Sequence, residues 1–306
     1  VWALNSFGPG VWSAASNSVT PDVLQRGLFA GGVNASLGNE NVIDYVQIET
    51  TGNATDFGDL TTARNQFVGC SSGTRGVFGG GENPTVSANA LNIIDYVTIA
   101  SMGNATDFGD LLTNFGRLMG ACSSSTRGVF GGGRSTTFSS VTQYVTIATT
   151  GNATSFGNLT VTAQTMAGCS STTRGLFGGG INSASAWIAT IGYITIATTG
   201  NATFFGNLTS ARRGLAACSS STRGVFAGGD TSTSEVNIID YVTIATTGNA
   251  TDFGDLTVTR TTLAGCAGLT RGIFGGGYFA TTYYNVIDYI TIASTGNAID
   301  LSLIHI

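Results

Sequence analysis

The chain has 306 residues, only 9% of them charged, and a formal net charge of −5 at neutral pH. All twelve basic residues are arginines, and half of them belong to one repeated motif, so no basic patch is left for the phosphates of a nucleic acid. The mean hydropathy is +0.23, yet no window approaches the roughly 18 consecutive apolar residues that a membrane-spanning helix requires. We therefore expect neither a nucleic acid nor a membrane as a partner.

A single glycine motif recurs along the whole chain. Its form is Arg-Gly-apolar-Phe-Gly/Ala-Gly-Gly, and successive copies are separated by 49, 52, 47, 49 and 48 residues. Self-similarity at such a period predicts a repeat architecture, with one domain over residues 1–306 built from six repeats of about 48 residues. The six copies begin at Arg26, Arg75, Arg127, Arg174, Arg223 and Arg271.

Each repeat predicts four short strands, which we label a to d in chain order. An apolar run such as 263–266 predicts strand a, and the glycine motif at 272–276 predicts strand b. The β-branched and aromatic run 286–293 predicts strand c, and a segment such as 250–256 predicts strand d. Short turns separate these segments, and no helical periodicity is present.

The two ends of the chain depart from this pattern. We place the first strand a at residues 11–15 and the last strand d at residues 298–304. The last strand does not follow the usual Thr-Asp-Phe-Gly-Asp-Leu sequence, and we interpret residues 301–306 as a tail that is not native. No charged start followed by an apolar segment, as in a signal peptide, precedes the repeats.

Four-stranded antiparallel sheets repeated about an axis are the blades of a propeller, in which neighbouring blades cover both faces of each sheet. This packing explains why strand c is almost continuously apolar. We predict an all-β chain folded as a six-bladed β-propeller of four-stranded antiparallel blades. A β-helix is the alternative, but its coils are usually shorter and lack paired glycines at hairpin ends.

The order of these elements resembles the kelch repeat over residues 26–298. Near-identical repeats of this kind are also similar to uncharacterised propeller proteins of marine phage and metagenomic origin, and this resemblance implies a virion-associated or adhesion role. The chain departs from the kelch pattern in strand d, where phenylalanine stands in place of the usual tryptophan. These residues are Phe57, Phe108, Phe156, Phe205 and Phe253.

The glycines at the end of strand b are interpreted as structural, because glycine adopts positive φ without steric cost. A phosphate-binding loop is the alternative, but such a loop opens a helix and carries a lysine, and the sequence has neither feature. The glycine two residues after the phenylalanine represents this position in the last five repeats. These residues are Gly80, Gly132, Gly179, Gly228 and Gly276.

The arginine of each motif has two possible roles. Six arginines arranged as a ring could attract an anion to one mouth of the channel, or each could bond to backbone carbonyls or to a nearby aspartate. We favour the structural role, because a charge repeated with the blade is most simply part of the blade. The acid of strand c, present at Asp44, Asp95, Asp240 and Asp288, is replaced by Gln143 and Gly192, so the fold does not require it.

Cysteine occurs once per repeat at an equivalent position. Such positions in neighbouring units are usually farther apart than the roughly 7 Å between Cα atoms that a disulfide allows, so we predict free buried thiols. There is no Cys-x-x-Cys pair and His305 is the only histidine, so we predict no metal and no cofactor. Free thiols favour assembly in the cytoplasm or in a virion. The cysteines are Cys70, Cys122, Cys169, Cys218 and Cys266.

Two further polar motifs are interpreted as turns. Carboxylates three residues apart, as in Asp56 and Asp59, could serve acid–base chemistry or bind calcium, but catalytic pairs are not usually copied around a ring. Asn-Ala-Thr, as at Asn152, matches a glycosylation sequon, and we interpret it as turn chemistry.

The variable positions predict where a partner binds. The a–b and c–d turns are nearly identical between repeats, whereas the b–c loops and d–a connections differ, and these two sets share one face of a propeller. Aromatic residues on variable loops over a rigid scaffold are typical of recognition surfaces, although neutral drift is the alternative. We predict that this face engages a protein or a glycan. The candidate residues are Phe138, Trp187, Tyr278, Phe279, Tyr283 and Tyr284.

The sequence does not predict an enzyme. Some kelch-type propellers are copper oxidases and sialidases are propellers, so an enzyme that acts on carbohydrate is the rival hypothesis. Because His305 is the only histidine, the repeats cannot supply a histidine-ligated copper site or a Ser-His-Asp triad. We name no catalytic residues.

Overall fold

The computed structural model describes residues 2–5, 25–34, 38–83, 90–113 and 119–304. Their strands form six four-stranded antiparallel sheets arranged as the blades of a β-propeller, which confirms the predicted fold class. Strand a lies next to the axis and strand d at the outer rim. The described residues include no helix that is long and apolar enough to cross a membrane.

The strands are numbered in chain order. Blade 1 contains β1 (Trp2–Asn5), β2 (Arg26–Val33), β3 (Asn39–Gln47) and β4 (Thr55–Asp59), and blade 2 contains β5 (Val68–Ser71), β6 (Arg75–Gly79), β7 (Ile93–Thr98) and β8 (Thr106–Asp110). Blade 3 contains β9 (Gly120–Ser123), β10 (Arg127–Gly131), β11 (Val141–Thr146) and β12 (Thr154–Asn158). Blade 4 contains β14 (Ala167–Ser170), β15 (Arg174–Gly178), β17 (Thr190–Thr195) and β18 (Thr203–Asn207). Blade 5 contains β19 (Ala216–Ser219), β20 (Arg223–Ala227), β21 (Ile238–Thr243) and β22 (Thr251–Asp255), and blade 6 contains β23 (Ala264–Ala267), β24 (Arg271–Gly275), β27 (Val286–Thr291) and β28 (Ile299–Leu303). Two short ladders join β13 (Ala163–Gln164) to β16 (Ile181–Asn182), and β25 (Tyr278–Phe279) to β26 (Thr282–Tyr283).

The inner strand of blade 1 is not where the sequence placed it. Trp2–Asn5 pairs with β2, and Leu4 stands opposite Leu28 as Cys70 stands opposite Val77 in blade 2. The predicted segment, residues 11–15, lies outside the described residues. The prediction was wrong because Trp-Ala-Leu-Asn lacks the cysteine of the other inner strands and because residues 6–25 separate it from β2.

The last strand closes the ring, as the sequence predicted for residues 298–304. Leu301 occupies the position that phenylalanine fills in other blades and is 5% exposed, and Ile304 is also buried at the boundary between blades 6 and 1. The carbonyl of Leu303 accepts a hydrogen bond from the backbone N of Ala54 at 3.0 Å. Because equivalent bonds join the other blades, the closing boundary has the same construction as the rest.

The small residues of the motif accommodate side chains from neighbouring blades. A Cβ atom added to Gly79 would lie 2.8 Å from the ring of Phe130, and one added to Gly128 would lie 2.5 Å from the Sγ atom of Cys70. Each apolar cluster accordingly joins two neighbouring sheets. All five cysteines are buried and free, as predicted.

The motif arginines link each blade to the next one. Nη1 of Arg75 donates to the carbonyl of Ala148 at 3.0 Å, and its guanidinium lies 4.4 Å from the ring centroid of Tyr96. Equivalent bonds cross all six boundaries, including that between blades 6 and 1, where Arg271 donates to the carbonyl of Ile48 at 3.5 Å. These contacts favour the structural role over an anion-binding ring.

The Asn-Ala-Thr turns also connect blades. The Oδ1 atom of Asn152 accepts a hydrogen bond from the backbone N of Asp110 at 3.0 Å, and the same bond recurs at every boundary. Strand d approaches this turn so closely that a Cβ atom on Gly109 would lie 2.6 Å from the carbonyl group of Gly151. Contacts between neighbouring blades therefore explain why the spacing of the turn residues is the same from repeat to repeat.

Three buried ion pairs were not predicted from the sequence. In each pair the arginine comes from the d–a connection of one blade and the aspartate from strand c of the next blade, and both side chains are 0% exposed. The pairs are Arg64–Asp95 at 2.7 Å, Arg212–Asp240 at 2.8 Å and Arg260–Asp288 at 3.0 Å.

Blade 4 lacks both the aspartate and the matching arginine. Gly192 replaces the acid, and Ala163 occupies the equivalent place in the preceding connection. In this blade acid and base are absent together, which avoids an unpaired buried charge. In blade 3 the replacement, Gln143, accepts a hydrogen bond from the backbone N of Leu112 at 2.7 Å.

Candidate functional site

The two sets of variable loops lie together on one face and are joined by backbone hydrogen bonds. In the described part of the chain, the d–a connections that lead into blades 2, 4, 5 and 6 pair with the b–c loops of those blades. Asn65 and Glu82 exchange N–H···O bonds of 3.1 and 2.8 Å, and Thr261 and Tyr278 exchange bonds of 2.9 and 3.0 Å. We call this surface the loop face. Because its loops are tied to one another, side chains on separate blades are held in fixed relative positions.

A cavity of about 260 Å³ opens at the centre of the loop face. One wall is aromatic and is built by Tyr278, Tyr283 and Tyr284 of blade 6. The floor is apolar and includes Met166 and Leu215. Two smaller cavities of about 50 and 70 Å³ continue along the axis between the inner strands, so the 260 Å³ cavity is the wide end of an axial channel.

The polar part of the cavity wall comes from the d–a connections. Gln66, Thr165 and Thr262 line it with φ angles of 56°, 55° and 53°, and Gly214 at the equivalent position has φ of 64°. A left-handed backbone conformation is unusual at residues other than glycine. It persists only where contacts with the surrounding structure stabilise that conformation. Hydrogen bonds from Thr262 N to Gly214 O at 2.6 Å and from Gly214 N to Thr165 O at 3.0 Å supply this constraint.

Next to the cavity, Trp187 belongs to a polar cluster. Its Nε1 atom donates to the Oδ2 atom of Asp230 at 3.2 Å, and the guanidinium of Arg213 lies 5.0 Å from its ring centroid. Arg213 also forms an ion pair with Asp230 at 3.1 Å. Burial raises the pKa of Tyr278, and Asp230 adds to this shift. The cluster therefore connects Trp187 of blade 4 to the tyrosine wall of blade 6.

The structure brings some of the predicted aromatic residues together and leaves others apart. Tyr278, Tyr283 and Tyr284 line the cavity, whereas Trp187 is half-buried beside it rather than freely exposed. Phe279 is 40% exposed on the hairpin formed by β25 and β26. Among the described residues, no contact connects Phe138 to this group.

Phe138 instead packs within its own loop in blade 3. The guanidinium of Arg134 lies 5.2 Å from its ring centroid, and the two residues form an isolated β-bridge. It therefore belongs to the loop face but not to the cavity.

Several lining residues were missed at the sequence level. They are ordinary polar residues in short connections, and nothing in their local sequence indicates that they lie near the propeller axis. These residues are Asn65, Gln66, Thr165 and Thr262. The available signal was that the d–a connections vary between repeats, which marks the region but not the individual residues.

The described part of the chain contains no group of three or more His, Cys, Asp or Glu residues placed to hold a metal ion. The acidic pairs lie on the outer strands, where Asp56 is exposed and Asp59 is half-exposed.

No protein-family model matches the chain, and no curated protein matches it.

Proposed function

We propose that this protein is a non-enzymatic binding module whose loop face holds a protein or glycan partner. One observation carries the proposal. Three tyrosines, Tyr278, Tyr283 and Tyr284, form one wall of the axial cavity, and none of their hydroxyls has a hydrogen-bond partner among the described residues. Tyrosine supplies a large rigid contact area and a polar group at a small entropic cost, and it is enriched at binding surfaces.

The construction of the propeller supports this assignment. The a–b and c–d turns form the bonds that hold neighbouring blades, as the Arg75 and Asn152 contacts do, and this role explains why they hardly change between repeats. The loop face has no such uniform requirement, because Asn65, Gln164 and Arg213 occupy the same position in successive connections. A rigid ring that presents different side chains on one face suits recognition.

The finer assignment follows from the sequence resemblance. The order of the strands supports a kelch-like propeller, and the near-identity of the repeats supports a phage, virion-associated or adhesion role. In that role the ring would serve as a scaffold and the loop face as the contact surface.

The test is a glycan array probed with the parent protein and with Trp187→Ala and Tyr283→Ala variants. We expect each variant to weaken binding by about 2 kcal/mol, or roughly thirtyfold, the usual scale for an aromatic anchor. Thermal melting must accompany the Trp187 measurement, because this residue also bonds to Asp230. If the array is blank, a photo-crosslinking residue at position 283 identifies a protein partner.

The matched control is Ser124→Ala on the opposite face. Ser124 accepts hydrogen bonds from the backbone N atoms of Thr126 and Arg127 at 3.3 and 3.1 Å, so its loss affects the a–b turn and not the loop face. Affinity should stay unchanged at a temperature where the variant is folded. Loss of binding in this control, with no effect of the aromatic variants, would place the site on the arginine side.

The rival hypothesis, an enzyme acting on carbohydrate, is tested with the same material. Array glycans incubated with the protein are analysed by mass spectrometry for cleavage or oxidation. Turnover that depends on the protein concentration would replace the binding proposal with the enzymatic one.

A further inference from the structure

We propose that the axial cavity binds one uncharged sugar residue, so that the partner of the loop face is a neutral glycan. This inference deepens the proposed function and rests on it. It depends on four properties of the cavity, which are its charge, its hydrogen-bonding groups, its aromatic wall and its size.

The cavity wall is uncharged. The described residues that line it are glycines, apolar residues, amides, threonines and tyrosines. Among the described residues, the carboxylate of Glu82 accepts a hydrogen bond from the lining residue Gln66 and carries the same sign as an anionic ligand. Arg213 and Asp230, which lie near Tyr278, bond to each other at 3.1 Å and neutralise one another. A carboxylate or phosphate inside the cavity would therefore lose water without gaining a counter-charge, which is costly. This property excludes acidic sugars and phosphorylated ligands in favour of neutral ones.

The hydrogen-bonding groups of the wall suit a ligand that carries many hydroxyls. Besides the tyrosines, Gln66, Thr165 and Thr262 line the cavity, and their amide and hydroxyl groups can donate or accept hydrogen bonds. The hydroxyls of Tyr278 and Tyr284 can each donate or accept. Tyrosine phenols are protonated at neutral pH, and burial raises the pKa of Tyr278 further in the same direction. Sugar hydroxyls are also both donors and acceptors and can satisfy such mixed groups.

The aromatic and apolar surfaces suit the C–H face of a pyranose ring. The rings of Tyr278 and Tyr283 lie with centroids 6.1 Å apart and planes inclined at 48°, so they form a wedge at the mouth. Met166, Leu215 and Leu263 form the floor. A sugar ring is apolar on its C–H faces and polar at its edge, and this distribution matches a wall with both kinds of surface.

The size of the cavity favours a single sugar residue of a glycan chain. Its volume of about 260 Å³ is slightly below the range of roughly 300–1,000 Å³ for drug-sized ligands. The next cavity along the axis has only about 50 Å³, so a ligand cannot pass farther into the channel. Tyr283 and Phe279 remain 39% and 40% exposed at the rim and are positioned to contact the following residues of a glycan. The cavity thus fits a terminal residue better than a peptide segment.

The experiment uses methyl glycosides of glucose, galactose, mannose and N-acetylglucosamine as probes, with glucuronic acid and glycerol for comparison. Binding to the whole protein is measured by saturation-transfer NMR and calorimetry. We expect at least one neutral glycoside to bind with a Kd on the order of 1 mM, as its number of heavy atoms permits. Glucuronic acid and glycerol should bind more weakly.

The variants Tyr278→Phe and Tyr284→Phe remove one hydroxyl each and keep the ring. Each should raise the Kd of the preferred glycoside about fivefold, the usual effect of one lost hydrogen bond. Tyr144→Phe is the matched control, because this tyrosine lies in strand c of blade 3 and packs against Phe156 at a centroid distance of 6.0 Å. It should leave the Kd unchanged, and melting curves verify that all three variants are folded.

Three results would overturn the inference: no neutral glycoside binds, glucuronic acid binds best, or both cavity variants bind as the parent does. The proposed function fails separately. An array signal that Trp187→Ala removes but that no methyl glycoside competes would leave the loop-face proposal standing and refute the sugar cavity. Binding of a glycoside in the cavity, without any glycan or protein partner, would refute the loop-face proposal.

Discussion

Nη1 of Arg127 donates a hydrogen bond to the carbonyl of Ala197 at 2.8 Å, across the boundary between blades 3 and 4. The same guanidinium lies 4.4 Å from the ring centroid of Tyr144 in its own blade. One side chain therefore stacks on its own sheet and binds the next one. The arrangement recurs around the ring. The glycine motif therefore supplies the contact between neighbouring blades as well as strand b.

Replacing Arg127 with lysine should lower the free energy of unfolding by about 1–2 kcal/mol. Lysine keeps the charge but loses the planar group that stacks on tyrosine and the rigid fork that reaches the carbonyl. Urea unfolding followed by fluorescence measures the change. The control is Ser125→Ala at an exposed position of the same turn, which should stay within about 0.5 kcal/mol of the parent. Equal losses in both variants would show that the bond contributes nothing.

Gly132→Val should be among the most destabilising changes in the loop face. Gly132 has φ of 72°, and a Cβ atom there would lie 2.7 Å from the carbonyl oxygen of Ala163. Strain and overlap together should cost roughly 2 kcal/mol or more. Gly200→Val is the matched control, because a Cβ atom there meets nothing within 4 Å. A melting temperature of the first variant within a degree of the parent would contradict this account.

The buried pair Arg212–Asp240 should show strong coupling in a double-mutant cycle. Either single change, Arg212→Met or Asp240→Val, leaves an unpaired charge where both side chains are 0% exposed, and should cost about 3–5 kcal/mol. The double variant should cost clearly less than the sum, because no charge remains. Blade 4 already has uncharged residues at the two equivalent positions, Ala163 and Gly192. Additive losses would mean that the two groups do not act as a pair.

Alkaline pH should destabilise the propeller through its cysteines. Burial raises the pKa of Cys70 and Cys169 from 9.0 to about 12, and it also raises the pKa of Cys122 and Cys218. Above pH 9 the unfolded chain releases thiol protons that the folded chain retains, so the folded state binds more protons and stability falls as pH rises. The stabilising effect is complete below pH 9 and is lost progressively toward pH 12.

The expected decrease is about 1.4 kcal/mol per buried cysteine for each pH unit above 9. Urea midpoints measured from pH 7 to pH 10 should be nearly constant at first and then fall steeply. Cys169→Ala should be less stable at pH 7, because its Sγ atom packs against Gly224, but should show a shallower decline above pH 9. Parallel declines for parent and variant would show that the thiols are not responsible.

The repeat, the strand order and the six-bladed ring could be predicted from the sequence. Local rules were sufficient for this result, because strand b has apolar residues between Arg127 and its glycines, and turn residues at fixed offsets end each strand. The cysteines were also predicted as free and buried, since symmetry keeps equivalent positions apart. The first strand a was misplaced because Trp2–Asn5 does not share the local signature.

The contacts between residues of different repeats could not be predicted from the sequence, because they depend on how the blades pack. Arg64 and Asp95 stand 31 residues apart in sequence, and their pairing follows from the way a d–a connection packs on the next blade. Likewise, Tyr278 faces Gln66 across a cavity only because the ring closes. Periodicity specifies each blade, whereas the axial site depends on the angle and register between blades. Contacts distributed over the whole chain determine this angle and this register, and no local sequence pattern encodes them.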